Sequence, residues 1–546
     1  MHRASAAPLA LMLAASANAA DSGTAQASLM VRFGGARVDD VLTGGEVRGV
    51  TNFTVPADHV IHDGLFPSEG IGWESDRVAY RLYLDERNAV DIFGKRLPAP
   101  IMQTAGIGPH SYHDMADWGM DISQTMYDAF IYTFPVYEMA RTRHNALHNP
   151  ARPVQGVTNQ LLHRRDLSDH TSRTVTTPNN DTLYSSAWLD VADGPVTVRV
   201  PAIAGRYWSL HFMDMFSNTV ELLGCANMHD GDISLRVCHR SDPSETPSGQ
   251  QRVCLPGVDA WLLIRVEVRS DADLIAVRAI QDQFQIARVV APGGTLRQHR
   301  VAPHSMLDGA NYLAVVNEVL AINGVPESDH DMLLAWREFG IDPSNATTAI
   351  DIPDLWTGQL PRFRELLKAA EPLRTDGVGG WHWPQWDEAL FGNHYELRAA
   401  IALKGIGALP THEAVYMTAD LDLHGEAGSP SKNYRVMIPS GGISCKSFWS
   451  ISVYQVEADG RLYFVQNGRR RYSIGNRSTD LMPEEDGRIE ICLQSEEPLD
   501  HKAKQNWLPA PGPEYPTMRL VLRAYLPTSD LISGTAELPV ITCVSG

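Results

Sequence analysis

The sequence predicts an α+β chain, mainly β, in which two or more β-sandwich or jelly-roll-like modules are joined by a helical middle segment. Three observations carry this. Short runs with period-two alternation and Gly or Pro breaks fill residues 30–122, 174–295 and 413–543. Helix-spaced apolar residues are confined to 123–148 and 303–408. Strands and helices are thus segregated, whereas a doubly wound α/β fold would alternate them.

Taken in order, Met1-His2-Arg3 starts basic, Ala6 to Ala15 is apolar, and Ala17-Asn18-Ala19 is a small-x-small cleavage pattern. Residues 1–19 are therefore expected to be a signal peptide, and the mature protein periplasmic or secreted. A β module is expected over 30–122. A β-rich domain over 123–295 opens with Met126, Phe130, Phe134, Val136 and Met139 at helical spacing, interrupted by Pro135. Its strands include Val196 to Val200 and the run Trp261-Leu262-Leu263-Ile264-Arg265-Val266. A helical connector follows over 296–412, with Leu313 to Leu320 and Phe363 to Leu367 as apolar stretches. A β-sandwich is expected over 413–546, ending in Met518-Arg519-Leu520-Val521-Leu522-Arg523-Ala524-Tyr525-Leu526-Pro527. No repeat of fixed period stands out.

Composition narrows the function. The 546 residues carry 46 Lys+Arg against 65 Asp+Glu, a net charge of −19 that repels phosphate backbones, so nucleic acid is not an expected partner. Outside the first 20 residues no apolar run approaches the ~18 needed to cross a bilayer, so no membrane insertion is expected. Neither GxGxxG after a strand nor GxxxxGK[ST] occurs, and G-x-S-x-G is absent. No cofactor is expected. Two histidine sets, His110 with His113 and Asp114, and His144 with His148, lack a visible third ligand, and no metal is expected. The six cysteines contain no C-x-x-C pair; a hairpin could bring Cys225 and Cys238 together, one or two bridges are expected, and connectivity stays open.

The densest polar cluster is Pro178-Asn179-Asn180-Asp181-Thr182-Leu183-Tyr184, followed by Trp188. Two amides, a carboxylate and a hydroxyl on a turn that enters a strand can form a hydrogen-bonding cup; alternatively the same residues cap the turn through Asx bonds. Downstream, alternation places Tyr207, Ser209, His211 and Met213 on one strand face and Arg206, Trp208, Leu210, Phe212 and Asp214 on the other. Asp181 is the candidate acid or base, with His211 and Arg206 in support and Asn179, Asn180, Tyr184 and Trp188 as substrate-binding candidates. In the N-terminal region Glu74 and Asp76 share a strand face, and Asp114, Asp117 and Asp121 share a helical one, a mix suited to a saccharide. Arg–Asp pairing between strands is the structural alternative. Trp507, between Asn506 and Pro509, reads as a corner plug rather than a ligand platform, and Asp486-Gly487 as a tight turn into a strand.

These motifs resemble known families. From about Asp128 to Gly294 the chain resembles the DUF1254 domain, through Thr177 to Asp190 and the Arg206 to Asp214 strand. From about Asn433 to Val540 it looks like the DUF1214 domain, through Trp449, Arg471-Tyr472-Ser473, Asp486-Gly487, Asn506 to Pro509 and Leu522 to Tyr525. Phe391-Gly392-Asn393-His394-Tyr395 and Arg398 in the connector match as well. Residues 31–122 are similar to part of DUF4861, through Trp73-Glu74-Ser75-Asp76 and Asp117-Trp118-Gly119-Met120-Asp121. The resemblance implies paired β-rich modules with a helical connector, carries no catalytic residue, and for DUF4861 implies an association with uronate-rich polysaccharide breakdown. The resulting expectation is an exported protein that binds or acts on a small organic or sugar-like molecule by acid–base chemistry, of hydrolase or lyase type. The alternative is a non-catalytic carbohydrate-binding or envelope-assembly protein.

Overall fold

The computed structural model describes residues 10–12, 26–60, 63–67, 69–75, 78–83, 90–95, 102, 122–150, 155–173, 176–228, 231–288, 299–344, 352–369, 374–376, 378–384, 391–424, 432–457 and 461–544. The fold is mainly β, with several separate sheets and helices in the middle of the chain, as the segregated sequence pattern predicts. Two compact units divide it, Met1–Ala129 and Phe130–Gly546. Most of the expected signal peptide lies outside the described residues, as do Asp76, His110, His113, Asp114, Asp117 and Asp121.

The first unit holds an antiparallel five-stranded sheet, in the order Glu46–Val50, Gln26–Phe33, Gly70–Glu74, Val78–Tyr83, Val90–Gly94. Leu29, Val31, Leu65 and Phe66 form its core. Asp39 and Asp40 both take positive φ and close the Ala36–Val38 and Val41–Thr43 hairpin, the geometry that suits right-twisted strands. Glu74 forms a buried ion pair with Lys95 at 2.8 Å and accepts from the Met102 N–H at 3.0 Å.

The second unit contains two sandwiches. In the first, strands β1 (Thr182–Asp190), β2 (Val196–Val200), β3 (Trp208–Met213), β4 (Thr219–Gly224), β5 (Ile233–His239), β6 (Gln251–Leu255), β7 (Asp259–Glu267) and β8 (Gln285–Arg288) form two sheets. One runs β1-β7-β3-β4 with Leu162–His163 at its edge, and the other β6-β5-β2-β8, with β5 and β6 parallel. Leu183, Leu189, Trp208, Leu210, Phe212 and Ile264 are among the side chains that fill the space between them. The predicted alternation of β3 holds: Trp208, Leu210 and Phe212 point into this core, and Tyr207 belongs to a cluster on the other face.

The second sandwich has β9 (Ala414–Asp422), β10 (Asn433–Ile438), β11 (Trp449–Val456), β12 (Leu462–Phe464), β13 (Ser473–Gly475), β14 (Ile489–Gln494), β15 (Trp507–Pro509), β16 (Thr517–Tyr525) and β17 (Val540–Val544). One sheet contains β9-β16-β11, with β12 and β13 both on β11; the other runs β15-β14-β10-β17, with β14 and β15 parallel. Strand for strand this is the topology of the first sandwich, with β12 inserted. The chain is thus an internal topological duplication, although the sequence shows no repeat of fixed period.

Four details differ from the sequence expectation or settle it. All six cysteines are free: Cys225 follows β4 in one sheet and Cys238 lies in β5 of the other, so the chain between them changes layer and closes no hairpin. Pro135 does not interrupt its helix, α1 (Ile122–Leu147), which continues through it. Residues 131–140 of α1 are buried on every side, so surrounding packing offsets the lost backbone bond. Trp507 is a plug, buried with its indole N–H on the Gln494 carbonyl at 2.8 Å, and Gly487 takes φ 84° in the expected turn.

The connector helices α2 (Gly309–Asn323) and α3 (Ile352–Ala369) pack with α1 through Phe130, Tyr137, Tyr312, Trp356 and Phe363, and α4 (Tyr395–Lys404) packs with it through Tyr395 against Tyr132. Gly309 sits where a Cβ would lie 2.0 Å from the Pro353 carbonyl oxygen, so the α2–α3 crossing requires glycine. His299 and Asn323 both bond the buried Asp259 carboxylate at 3.0 Å, which ties the connector to the start of β7.

Candidate functional site

The two sandwiches meet through the outer faces of their larger sheets. The Tyr207 ring lies 4.9 Å from that of Tyr525 and 5.8 Å from that of Phe448, and the Asn179 amide donates to the Tyr525 hydroxyl at 2.7 Å. Strand pairing sets what each face presents. On the first, Arg265 of β7 stands opposite Tyr184 of β1 and Ser209 of β3. On the second, Arg523 of β16 stands opposite Tyr416 of β9 and Ser450 of β11. Each sandwich therefore contributes a Tyr–Arg–Ser row at the same topological position. Local sequence follows suit: Tyr207-Trp208-Ser209 parallels Phe448-Trp449-Ser450, and Leu262 to Arg265 parallels Leu520 to Arg523.

The rows differ in how their arginines are held. Arg523 bonds the Tyr454 hydroxyl at 2.8 Å and Ser452 at 3.2 Å. Beside it the Asp181 carboxylate accepts from Ser450 at 2.6 Å and pairs with Arg477. Arg265, 4% exposed, donates Nη2 to the Gly407 carbonyl, and its Nη1 has no hydrogen-bond partner among the described residues. Gly407 takes φ 85°, a conformation that favours glycine. Burial opposes the Arg265 charge, but the phenols Tyr184, Tyr416, Tyr207 and Tyr525 more than offset this and hold its pKa above the ordinary value.

Other groups converge on the same face. Glu413, equivalent by register to Asp181, accepts from the Tyr207 hydroxyl at 2.7 Å. Burial raises the Glu413 pKa, with the Tyr207 bond and the His412 and Arg265 charges acting against it. Burial, then the Glu413 charge, lifts Tyr207 well above the ordinary phenol value. His211 bonds Thr219 through Nε2 at 2.8 Å and leaves Nδ1 without a partner among the described residues. Burial and the Arg265 charge push its pKa well down, so the imidazole is neutral near pH 7. Thr182 Oγ1 and Trp188 Nε1 on this sheet are likewise buried without partners.

Of the residues singled out from sequence, Tyr184, Trp188 and His211 belong to this face. Trp188 is fully buried and stacks on Trp261 at 5.4 Å. Asn179 and Asn180 serve the turn: Asn179 Oδ1 accepts from the Asp181 N–H at 2.6 Å, an Asx bond, and Asn180 donates to the Ser168 carbonyl. Asp181 is held in its ion pair with Arg477. Arg206 pairs with Asp273 at 2.7 Å and bonds the Glu267 carbonyl at 3.0 Å, fastening the start of β3. Sequence reasoning missed Arg265, Arg523, Tyr207 and Glu413. The available signal was an arginine inside each of two apolar strand runs.

Two further features lie away from this face. Arg398 of α4 lies over Tyr132, Phe216 and Tyr395, whose neighbour Asp329 accepts from both tyrosine hydroxyls at 2.8 and 2.9 Å. This binds α1 to the connector. A groove of about 460 Å³ beside α2 is lined mostly by apolar side chains such as Leu320, Val325, Leu333 and Leu334.

Family models match three stretches, each described as of unknown function: DUF4861 over residues 5–124, DUF1254 over 158–288 and DUF1214 over 413–529. A crystal structure of the VPA0106 protein from Vibrio parahaemolyticus is similar at TM-score 0.59 and 23% identity, covering 77% of this chain and 99% of that one, which shows a shared fold. An uncharacterized protein from Burkholderia cenocepacia aligns at TM-score 0.41 and 14% identity, over 78% of this chain and 91% of that one, too distant to carry an argument. Homoserine kinase from Mycobacterium tuberculosis is 35% identical over 83 residues, 14% of this chain. The match covers 26% of that protein, so the chain spans about a quarter of its length. The first sandwich falls in the DUF1254 match and most of the second in the DUF1214 match, so the chain is a DUF1254/DUF1214 domain-containing protein preceded by a partial DUF4861-like segment.

Proposed function

We propose that this protein is exported and that it binds a small organic or sugar-like molecule where its two sandwiches meet, acting on it by acid–base chemistry. Export rests on the basic start, apolar stretch and Ala17-Asn18-Ala19 pattern. One observation carries the site: Thr182 Oγ1, His211 Nδ1 and Arg265 Nη1 share a buried sheet face and lack hydrogen-bond partners among the described residues. Buried polar groups are nearly always hydrogen-bonded, and a catalytic role or a bound group is one explanation of an exception. A neutral His211 can accept a proton at Nδ1, while Glu413, biased towards its protonated form, can return one through Tyr207. The non-catalytic binding reading has its own support, because Asp181 is occupied by Arg477 and Ser450.

The test is a ligand screen on the full chain, read by thermal unfolding and by product formation. A ligand at 100 times its Kd adds about 2.7 kcal/mol, a clear shift. His211→Gln is expected to abolish turnover and retain the shift. Binding without turnover in the unaltered protein would favour the binding role, and a shift that survives Thr182→Val with Arg265→Lys would move the site elsewhere.

A further inference from the structure

The ligand's chemistry can be read from the duplication itself, on the reading that the meeting face of the sandwiches is the binding site. The Arg523–Ser450 row already meets a carboxylate, because Asp181 accepts from Ser450 at 2.6 Å and its charge acts on Arg523. The Arg265–Ser209 row has the same residue types in the same register. Its own candidate, Glu413, is instead taken by the Tyr207 hydroxyl at 2.7 Å, and Arg265 makes no ion pair with any described residue. Arg265 therefore keeps a buried N–H unbonded on a row that, in its twin, accommodates a carboxylate.

We propose that the ligand is a small organic carboxylate and that Arg265 binds its carboxylate through Nη1. Arginine suits this, since its fixed donors match carboxylate geometry and its charge is held without proton loss. Tyr184 and Tyr416 flank Arg265 and are only half-buried, whereas Tyr207 and Tyr525 are fully buried, so the ligand approaches from the Tyr184–Tyr416 side. A carboxylate placed there has the neutral His211 nearby on the same face, two residues along β3 from Ser209. Thr182 and His211 stand one row to either side of the Arg265 row, so the carbon chain of the acid runs along the sheet towards one of them, and the His211 side is the one that offers a base.

The experiment compares matched acids and amides on the unmodified full chain: glucuronate with glucuronamide, lactate with lactamide, benzoate with benzamide. Affinity is read by calorimetry and by the shift in unfolding temperature. At least one acid is expected to bind about 10-fold or more tightly than its amide, a preference typical of charge-assisted recognition. Arg265→Lys, checked for an unchanged unfolding midpoint without ligand, is expected to erase most of that preference. Amides that bind as tightly as their acids would overturn the carboxylate assignment and leave the binding site standing. An acid preference unchanged in Arg265→Lys would overturn the role of Arg265. Absence of binding by any acid, amide or neutral sugar would overturn both this inference and the binding reading beneath it.

Discussion

Arg265 and Arg523 occupy the same position in two copies of one topology, on central strands, between a tyrosine and a serine. Arg523 is surrounded by acceptors supplied by its own fold, Ser452 and Tyr454, with the Asp181–Arg477 pair alongside. Arg265 has a carbonyl and a ring of phenols. The comparison separates two uses of a buried charge. On one side it helps fasten the sandwiches together; on the other it is left with bonding capacity that stability alone does not explain.

The largest effect expected is at the fastening. Asp181→Ala leaves Arg477 facing a site without its carboxylate and should cost about 3–5 kcal/mol, measured by urea unfolding. Next comes the direct contrast. Arg523→Met should cost about 3 kcal/mol, because Tyr454 and Ser452 lose their donor, while Arg265→Met should stay within about 1 kcal/mol. Equal losses at the two positions would abolish the distinction. Tyr207→Phe places in the first sandwich the phenylalanine the second has at Phe448, and removes a bond to a buried carboxyl; about 1–2 kcal/mol is expected.

Glu413→Gln sharpens the comparison through pH. The folded pKa of Glu413 lies above its ordinary value, chiefly through burial, so the folded state holds this proton more tightly than the unfolded one. Stability from this group is present below about pH 4.3 and falls as pH rises towards the raised value. The variant should not show that fall, and a difference between the two proteins that does not change over this range would contradict it. The smallest effect expected is for Tyr184→Phe, within about 0.5 kcal/mol by thermal unfolding, since the residue is half-exposed.

Much of this architecture was legible in the sequence because it rests on local periodicity. The alternation of β3, the turn at Asp486-Gly487 and the Asx bond of Asn179 all follow from short-range rules. The duplication did not emerge because its copies are separated by a connector and joined by loops of unequal length, and only short stretches such as Tyr207 to Ser209 and Phe448 to Ser450 keep a common pattern. Arg265 and Arg523 stood in view inside apolar runs. Their meaning depends on what covers a sheet face from more than two hundred residues away, which periodicity does not record. Cys225 and Cys238 mislead for the same reason, since a turn signal does not say whether the chain will change layer.

The Asp181–Arg477 pair joins residues 296 apart in sequence. Such a contact closes a long loop and is made late, after its loop entropy has been offset by other contacts. During synthesis the first sandwich emerges well before the strands that cover its outer sheet. Until β11 and Arg477 arrive, Asp181 lacks Ser450 and its ion-pair partner, whereas the Arg265 side already has Gly407 and Glu413 to meet. A chain cut before Arg477 would therefore keep the Arg265 contacts and leave the Asp181 carboxylate without its ion pair, so the two ends of the meeting face close at different lengths of chain.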